Sequence, residues 1–108
     1  MIYQTAQQHP ELALICAHWG GGLLFYELMP EARQVLHNTY YDTAASLYLY
    51  DKRIFALAAQ ICPEKILFAT DYPLIRQERF LQHVREAALP ATVLSEIMGG
   101  NAARLLGL

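Results

Sequence analysis

Two short apolar runs, each closing on a polar residue, most constrain what this chain can fold into. Leu12-Ala13-Leu14-Ile15-Cys16-Ala17 ends at His18, and Ile66-Leu67-Phe68-Ala69-Thr70 ends at Asp71. Between them lies a short aromatic run, Thr39-Tyr40-Tyr41-Asp42-Thr43, of β-favouring residues. A continuous apolar run of this length is the pattern of a strand buried on both faces. The ends His18, Asp42 and Asp71 lie 24 and 29 residues apart, which leaves room for a helix in each interval. Strands alternating with helices imply right-handed crossovers and a parallel sheet.

The intervals read as helical. Residues 2–9 form the end of a helix closed by His9-Pro10, since proline disfavours helix in the residue before it. Gly20 to Gly22 form a turn, Leu23 to Met29 begins a helix, and Pro30-Glu31 restarts it through Leu36. Asp51 caps a helix running from Lys52 to Ile61, and Pro63-Glu64-Lys65 is a loop. Arg76 to Ala88 is amphipathic, with Phe80, Leu81, Val84, Ala87 and Ala88 on one face. Two short helices follow, Ala91 to Met98 and Asn101 to Leu106, separated by Gly99-Gly100. The expected fold is therefore α/β: a parallel βαβαβα segment with a trailing helical segment, in one domain spanning 1–108. A (β/α)8 barrel of about 250 residues uses roughly 31 residues per unit, close to this spacing. Barrels and open parallel sheets both place their chemistry at the C-terminal strand ends, where these three residues fall.

Composition narrows the function classes. The chain has 108 residues, 55% of them hydrophobic, enough for one modest core and too apolar for disorder. Its mean hydropathy, +0.17, is high for so small a domain and points to surface covered by another chain or by further segments. A net charge of −2 gives no electrostatic reason to expect nucleic acid or an anionic membrane. No apolar run approaches the roughly 18 residues of a membrane span, and the N-terminus lacks the pattern of a signal peptide. Cys16 and Cys62 lie in or beside apolar segments without zinc-motif spacing, so reduced, buried thiols in a cytoplasmic protein are expected.

His18 is followed by Trp19 and then Gly20-Gly21-Gly22. An imidazole at a strand end beside glycines puts a titratable group where backbone can approach a substrate closely. The bland alternative is a hydrogen-bonded histidine in a strand–helix loop. The glycines also invite a phosphate-cradle reading, but the spacing of the known phosphate motifs is absent. Asp71 stands directly after its strand; the alternative is a turn aspartate before Pro73. Asp42 reads equally as a polar residue near the site or as a structural hydrogen-bond partner. Tyr40 and Tyr41 read as packing residues, while Trp19 and Tyr72 fit packing and pocket lining equally. His9 and His37 fall at the opposite end of the sheet, and His83 lies on a helix facing solvent.

The ordered motifs Leu14-Ile15-Cys16-Ala17-His18-Trp19-Gly20-Gly21-Gly22, Tyr41-Asp42-Thr43, Ile66-Leu67-Phe68-Ala69-Thr70-Asp71-Tyr72-Pro73-Leu74 and Asn101-Ala102-Ala103-Arg104-Leu105-Leu106-Gly107-Leu108 carry a resemblance over nearly the whole chain. It resembles the C-terminal part of the amidohydrolase-related family of metal-dependent hydrolases and decarboxylases, which includes aminocarboxymuconate-semialdehyde decarboxylase-like enzymes. The resemblance implies the last three units, strands 6 to 8, of a (β/α)8 TIM barrel. It implies a divalent metal, zinc above all, with His18 as a metal-site histidine or the residue activating the bound water. Asp71 takes the place of a metal ligand or a base facing that water. The family's first-strand His-x-His pair and fifth-strand histidine have no counterpart among His9, His18, His37 and His83. A catalytic zinc takes three protein ligands, and His18 and Asp71 supply two at most.

Two functions follow from these readings. In the first, the chain belongs to a metal-dependent hydrolase or decarboxylase that acts on a small carboxylated, lactone or amide substrate and needs further strands to be complete. In the second, it is a catalytically inactive, truncated fragment whose exposed sheet surface drives homo-oligomer formation as a structural or binding module.

Overall fold

The structure is a computed structural model and describes all 108 residues. Helix α1 (Ile2–Gln8) precedes strand β1 (Leu14–Cys16). A 3-10 segment, His18–Leu28, and α2 (Pro30–Val35) lead to β2 (Thr39–Asp42). Helices α3 (Ser46–Leu49) and α4 (Arg53–Ile61) and a 3-10 turn, Pro63–Lys65, lead to β3 (Ile66–Leu67). Helices α5 (Gln77–Glu86), α6 (Ala91–Ser95) and α7 (Asn101–Leu106) complete the chain. The strands pair in parallel in the order β1-β2-β3, with Cys16 beside Tyr41 and Tyr41 beside Ile66. The strand–helix alternation expected from the sequence is the observed architecture.

Side chains alternate across a strand, and here the two faces differ sharply. Cys16, Tyr41 and Ile66 form one cross-sheet row turned into the core, where Trp19, Leu24, Phe55, Phe80, Ile75 and Ile97 join them. The aromatic rings meet edge to face, Trp19 on Phe55 at 5.3 Å and Phe68 on Phe80 at 5.4 Å. Such geometry suits the ring quadrupoles. Helix α5 follows its sequence pattern, burying Phe80 and Val84. On the opposite face Leu67 is buried but Ile15 is 57% exposed, so the first strand is not buried on both faces as its apolar run implied. It forms one edge of the sheet, and nothing covers its second face.

Other expectations are also corrected. The third run pairs only through Ile66–Leu67. Beyond it, the Phe68 N–H donates to the Ile97 carbonyl and the Ala69 N–H to Thr43 Oγ1, so the ladder passes to a helix and a side chain. Gly99-Gly100 does not break the trailing segment. The helix continues through a π-turn at Glu96–Gly100, with Arg104 held to Glu96. The Glu96 carboxylate lies where a Cβ on Gly100 would sit, 2.8 Å from Oε2. His83 is half-buried, not solvated, against the rings of Phe55 and Phe80. No helix is long and apolar enough to cross a membrane.

Candidate functional site

His18 lies two residues beyond β1, at the C-terminal end of the sheet. From His18 to Gly22 every residue has positive φ, beginning with 56° at His18 and 60° at Trp19. A left-handed conformation costs a non-glycine residue about 1–2 kcal/mol, so specific contacts must hold this turn. The three glycines adopt it without that cost. At Gly20 the lack of a side chain is also a packing requirement, because a Cβ would meet the Tyr41 ring at 3.0 Å. Trp19 is fully buried, and its Nε1–H donates to Ser46 Oγ at 2.7 Å. It packs in the core.

The His18 N–H donates to Asp42 Oδ1 at 3.0 Å, and the ring Nδ1 lies 2.9 Å from the Ala44 carbonyl oxygen. A carbonyl only accepts, so Nδ1 carries a proton, and in the neutral ring Nε2 is the nitrogen with the lone pair. That form of the ring can take a proton or bind a metal through Nε2. Tyr50 OH adds a longer contact, 3.4 Å, to the His18 carbonyl.

Asp71 follows β3 at the same end of the sheet, in a left-handed conformation with φ 66° and an exposed side chain. Its carbonyl accepts the Leu74 N–H at 2.8 Å, closing a turn that leaves Tyr72 69% exposed. Strand β2 separates the two candidates. The end of β2 ties into both sides. Asp42 Oδ1 also accepts the Ala44 N–H at 3.0 Å, while Thr43 Oγ1 donates to the Ala69 carbonyl and accepts the Ala69 N–H at 2.8 and 2.9 Å. From the sequence Asp42 reads equally as a residue near the site or a structural hydrogen-bond partner, and Thr43 carries no signal of its own. The position of Asp42 at the end of a strand was the signal available.

The other end of the His18 segment is anchored under the sheet. Glu27 and Lys65, both buried, form an ion pair with contacts of 2.9 and 3.0 Å. Tyr41 OH donates to Glu27 Oε1 at 2.8 Å, and Lys65 Nζ donates to the Leu36 carbonyl at 2.8 Å. Burial, then the hydrogen bond to Glu27, pushes the Tyr41 hydroxyl well above its ordinary range. Burial likewise raises both thiols, that of Cys62 to about 12. No pattern in the sequence links residues 27 and 65, and this network was not foreseen.

A three-stranded parallel sheet with helices between its strands has the arrangement of part of an α/β barrel. The amidohydrolase family profile matches residues 1–108, and the chain belongs to that family. Comparison with curated protein sequences returns no match. Among solved structures, the 5-carboxyvanillate decarboxylase of Sphingomonas paucimobilis superposes with a TM-score of 0.80 at 19% identity, over 99% of this chain and 38% of that one. A 2,6-dihydroxybenzoate decarboxylase gives 0.76 at 19% identity, over 94% and 36%. A dihydroxybenzoic acid decarboxylase from a Polaromonas species, solved with manganese and the inhibitor 2-nitroresorcinol, gives 0.74 at 20% identity, over 94% and 35%. The chain thus spans little more than a third of the length of these structures, whose likeness establishes the fold. The donor set does not fit a complete metal site, since no three histidine, cysteine, aspartate or glutamate side chains come together in the chain.

Proposed function

We propose that residues 1–108 are a single partial-barrel domain, the C-terminal portion of an amidohydrolase-type enzyme, contributing His18 and Asp71 to an active centre that other strands complete. The substrate class is a small carboxylated compound, processed by decarboxylation or by hydrolysis of a lactone or amide. His18 transfers the proton through Nε2, and Asp71 serves as a carboxylate ligand or base at the same end of the sheet. The observation that carries this reading is the hydrogen bond from His18 Nδ1 to the Ala44 carbonyl, which leaves the other ring nitrogen as an acceptor. The divalent metal of such a centre, zinc on the family resemblance, needs ligands beyond these two. Free, buried Cys16 and Cys62 support a reducing, cytoplasmic setting.

Carbon dioxide release from dihydroxybenzoates and 5-carboxyvanillate, with zinc or manganese supplied, tests this. Turnover is expected only in preparations that contain the further barrel strands, and it is abolished by His18→Ala and by Asp71→Ala. Undiminished turnover in either variant refutes the assignment.

A second reading, a self-associating inactive module, draws on the uncovered β1 edge. Met1, Ile2, Leu14 and Ile15 line an apolar groove of about 380 Å³ there, and exposed strand edges recruit other strands. Light scattering separates the two readings. A metal-free closed oligomer supports the module, and a monomer removes it.

A further inference from the structure

The geometry points to Asp42-Thr43-Ala44 as a positioning element for both site residues, with Asp42 determining which ring nitrogen of His18 carries the proton. This rests on the roles given above to His18 and Asp71. One carboxylate oxygen, Asp42 Oδ1, accepts the N–H groups of His18 and of Ala44, each at 3.0 Å. It therefore fixes the spacing between the two loops. That spacing brings the imidazole Nδ1 to 2.9 Å from the Ala44 carbonyl.

Both loops hold a strained residue beside the clamp, His18 at φ 56° and Ala45 at φ 56°. Neither conformation is the one such a residue prefers when free; the carboxylate holds His18 directly and Ala45 only through the N–H of the preceding Ala44. Thr43 is the second arm. Its hydroxyl both donates to and accepts from the Ala69 backbone, two residues before Asp71. The protonated nitrogen of a neutral imidazole is set by the bond the other nitrogen makes. Asp42 thus acts on the chemistry through His18 and is a positioning residue, not a catalytic one.

The test is nitrogen-15 NMR of the His18 ring in the full 108-residue chain without substrate. The unaltered protein is expected to carry the proton on Nδ1, and Asp42→Asn, which keeps a side-chain carbonyl oxygen, is expected to preserve it. Asp42→Ala removes the clamp, and the ratio of the two protonated forms shifts toward Nε2–H by roughly fivefold, the equivalent of one hydrogen bond. Thr43→Val is expected to leave the ring unchanged while moving the Ala69 to Asp71 amide signals. A proton on Nε2 in the unaltered protein overturns the inference, as does a folded Asp42→Ala variant with an unchanged ring. If Asp42→Ala does not fold, Asp42→Ser, too short to bridge both amides, takes its place under the same criteria. These signals are read without turnover, so undiminished turnover of the completed enzyme in His18→Ala or Asp71→Ala would refute the proposed function and leave this result standing.

Discussion

Replacing Lys65 with methionine should strongly destabilise the fold, because it strands a buried carboxylate. Lys65 Nζ makes three hydrogen bonds, two to Glu27 and one to the Leu36 carbonyl. After Lys65→Met, Glu27 retains only the Tyr41 hydroxyl, and the Leu36 carbonyl loses its side-chain donor. Removing one partner of a buried ion pair costs about 3–5 kcal/mol. A chain of this length is stable by roughly 5–15 kcal/mol in all, so the variant loses about a fifth of that margin at the least. With a urea slope of about 2 kcal/mol/M, the unfolding midpoint falls by about 2 M. The double variant Glu27→Gln with Lys65→Met removes both charges and should recover at least half of the loss. Urea unfolding of the four proteins, followed by Trp19 fluorescence, provides the double-mutant cycle. A loss below about 1 kcal/mol in Lys65→Met, or strict additivity in the double variant, would refute the claim that this pair is a buried, coupled anchor for the His18 segment.

Gly20→Ala should destabilise by about 2–3 kcal/mol, combining left-handed strain with a clash against the Tyr41 ring, whereas Gly21→Ala carries the strain alone, about 1 kcal/mol. Equal midpoints for the two variants in urea would remove the clash from the account. Burial holds the His83 imidazole below its ordinary value near 6.5, partly offset by Glu86. The folded state therefore binds this proton less readily than the unfolded state, so stability is retained above about pH 6.5 and falls on acidification below it. Thermal melts from pH 7.5 to 5 should show this slope flattened in His83→Leu. Cys16 and Cys62 should resist a thiol reagent at pH 8 in the folded protein and both react in urea, as buried thiols of raised pKa do.

The parallel order of the strands and the placement of His18, Asp42 and Asp71 at one sheet end were legible in the sequence. Apolar runs and helical periodicity are local signals that report the elements directly. What escaped depends on partners distant in sequence. Ile15 belongs to an unbroken apolar run, yet it is exposed because no element packs on its face of β1. Phe68 and Ala69 look like strand residues, but their N–H groups bond to Ile97 and Thr43. Gly99-Gly100 has the composition of a break and sits instead in a π-turn that Glu96 covers. Asp42 could be located but not assigned, since its two donors lie on different loops. The second half of the metal donor set is not in the chain to be read.

The proposed sharing of one centre by His18 and Asp71 is tested most directly by paramagnetic broadening by manganese(II) in NMR spectra of the 108-residue chain. Weak binding at a two-donor corner should broaden the His18 ring and Asp71 signals together, ahead of His9, His37 and His83, and His18→Ala should abolish the effect at Asp71. Broadening that begins at the other histidines, or that reaches Asp71 unchanged in His18→Ala, would contradict it.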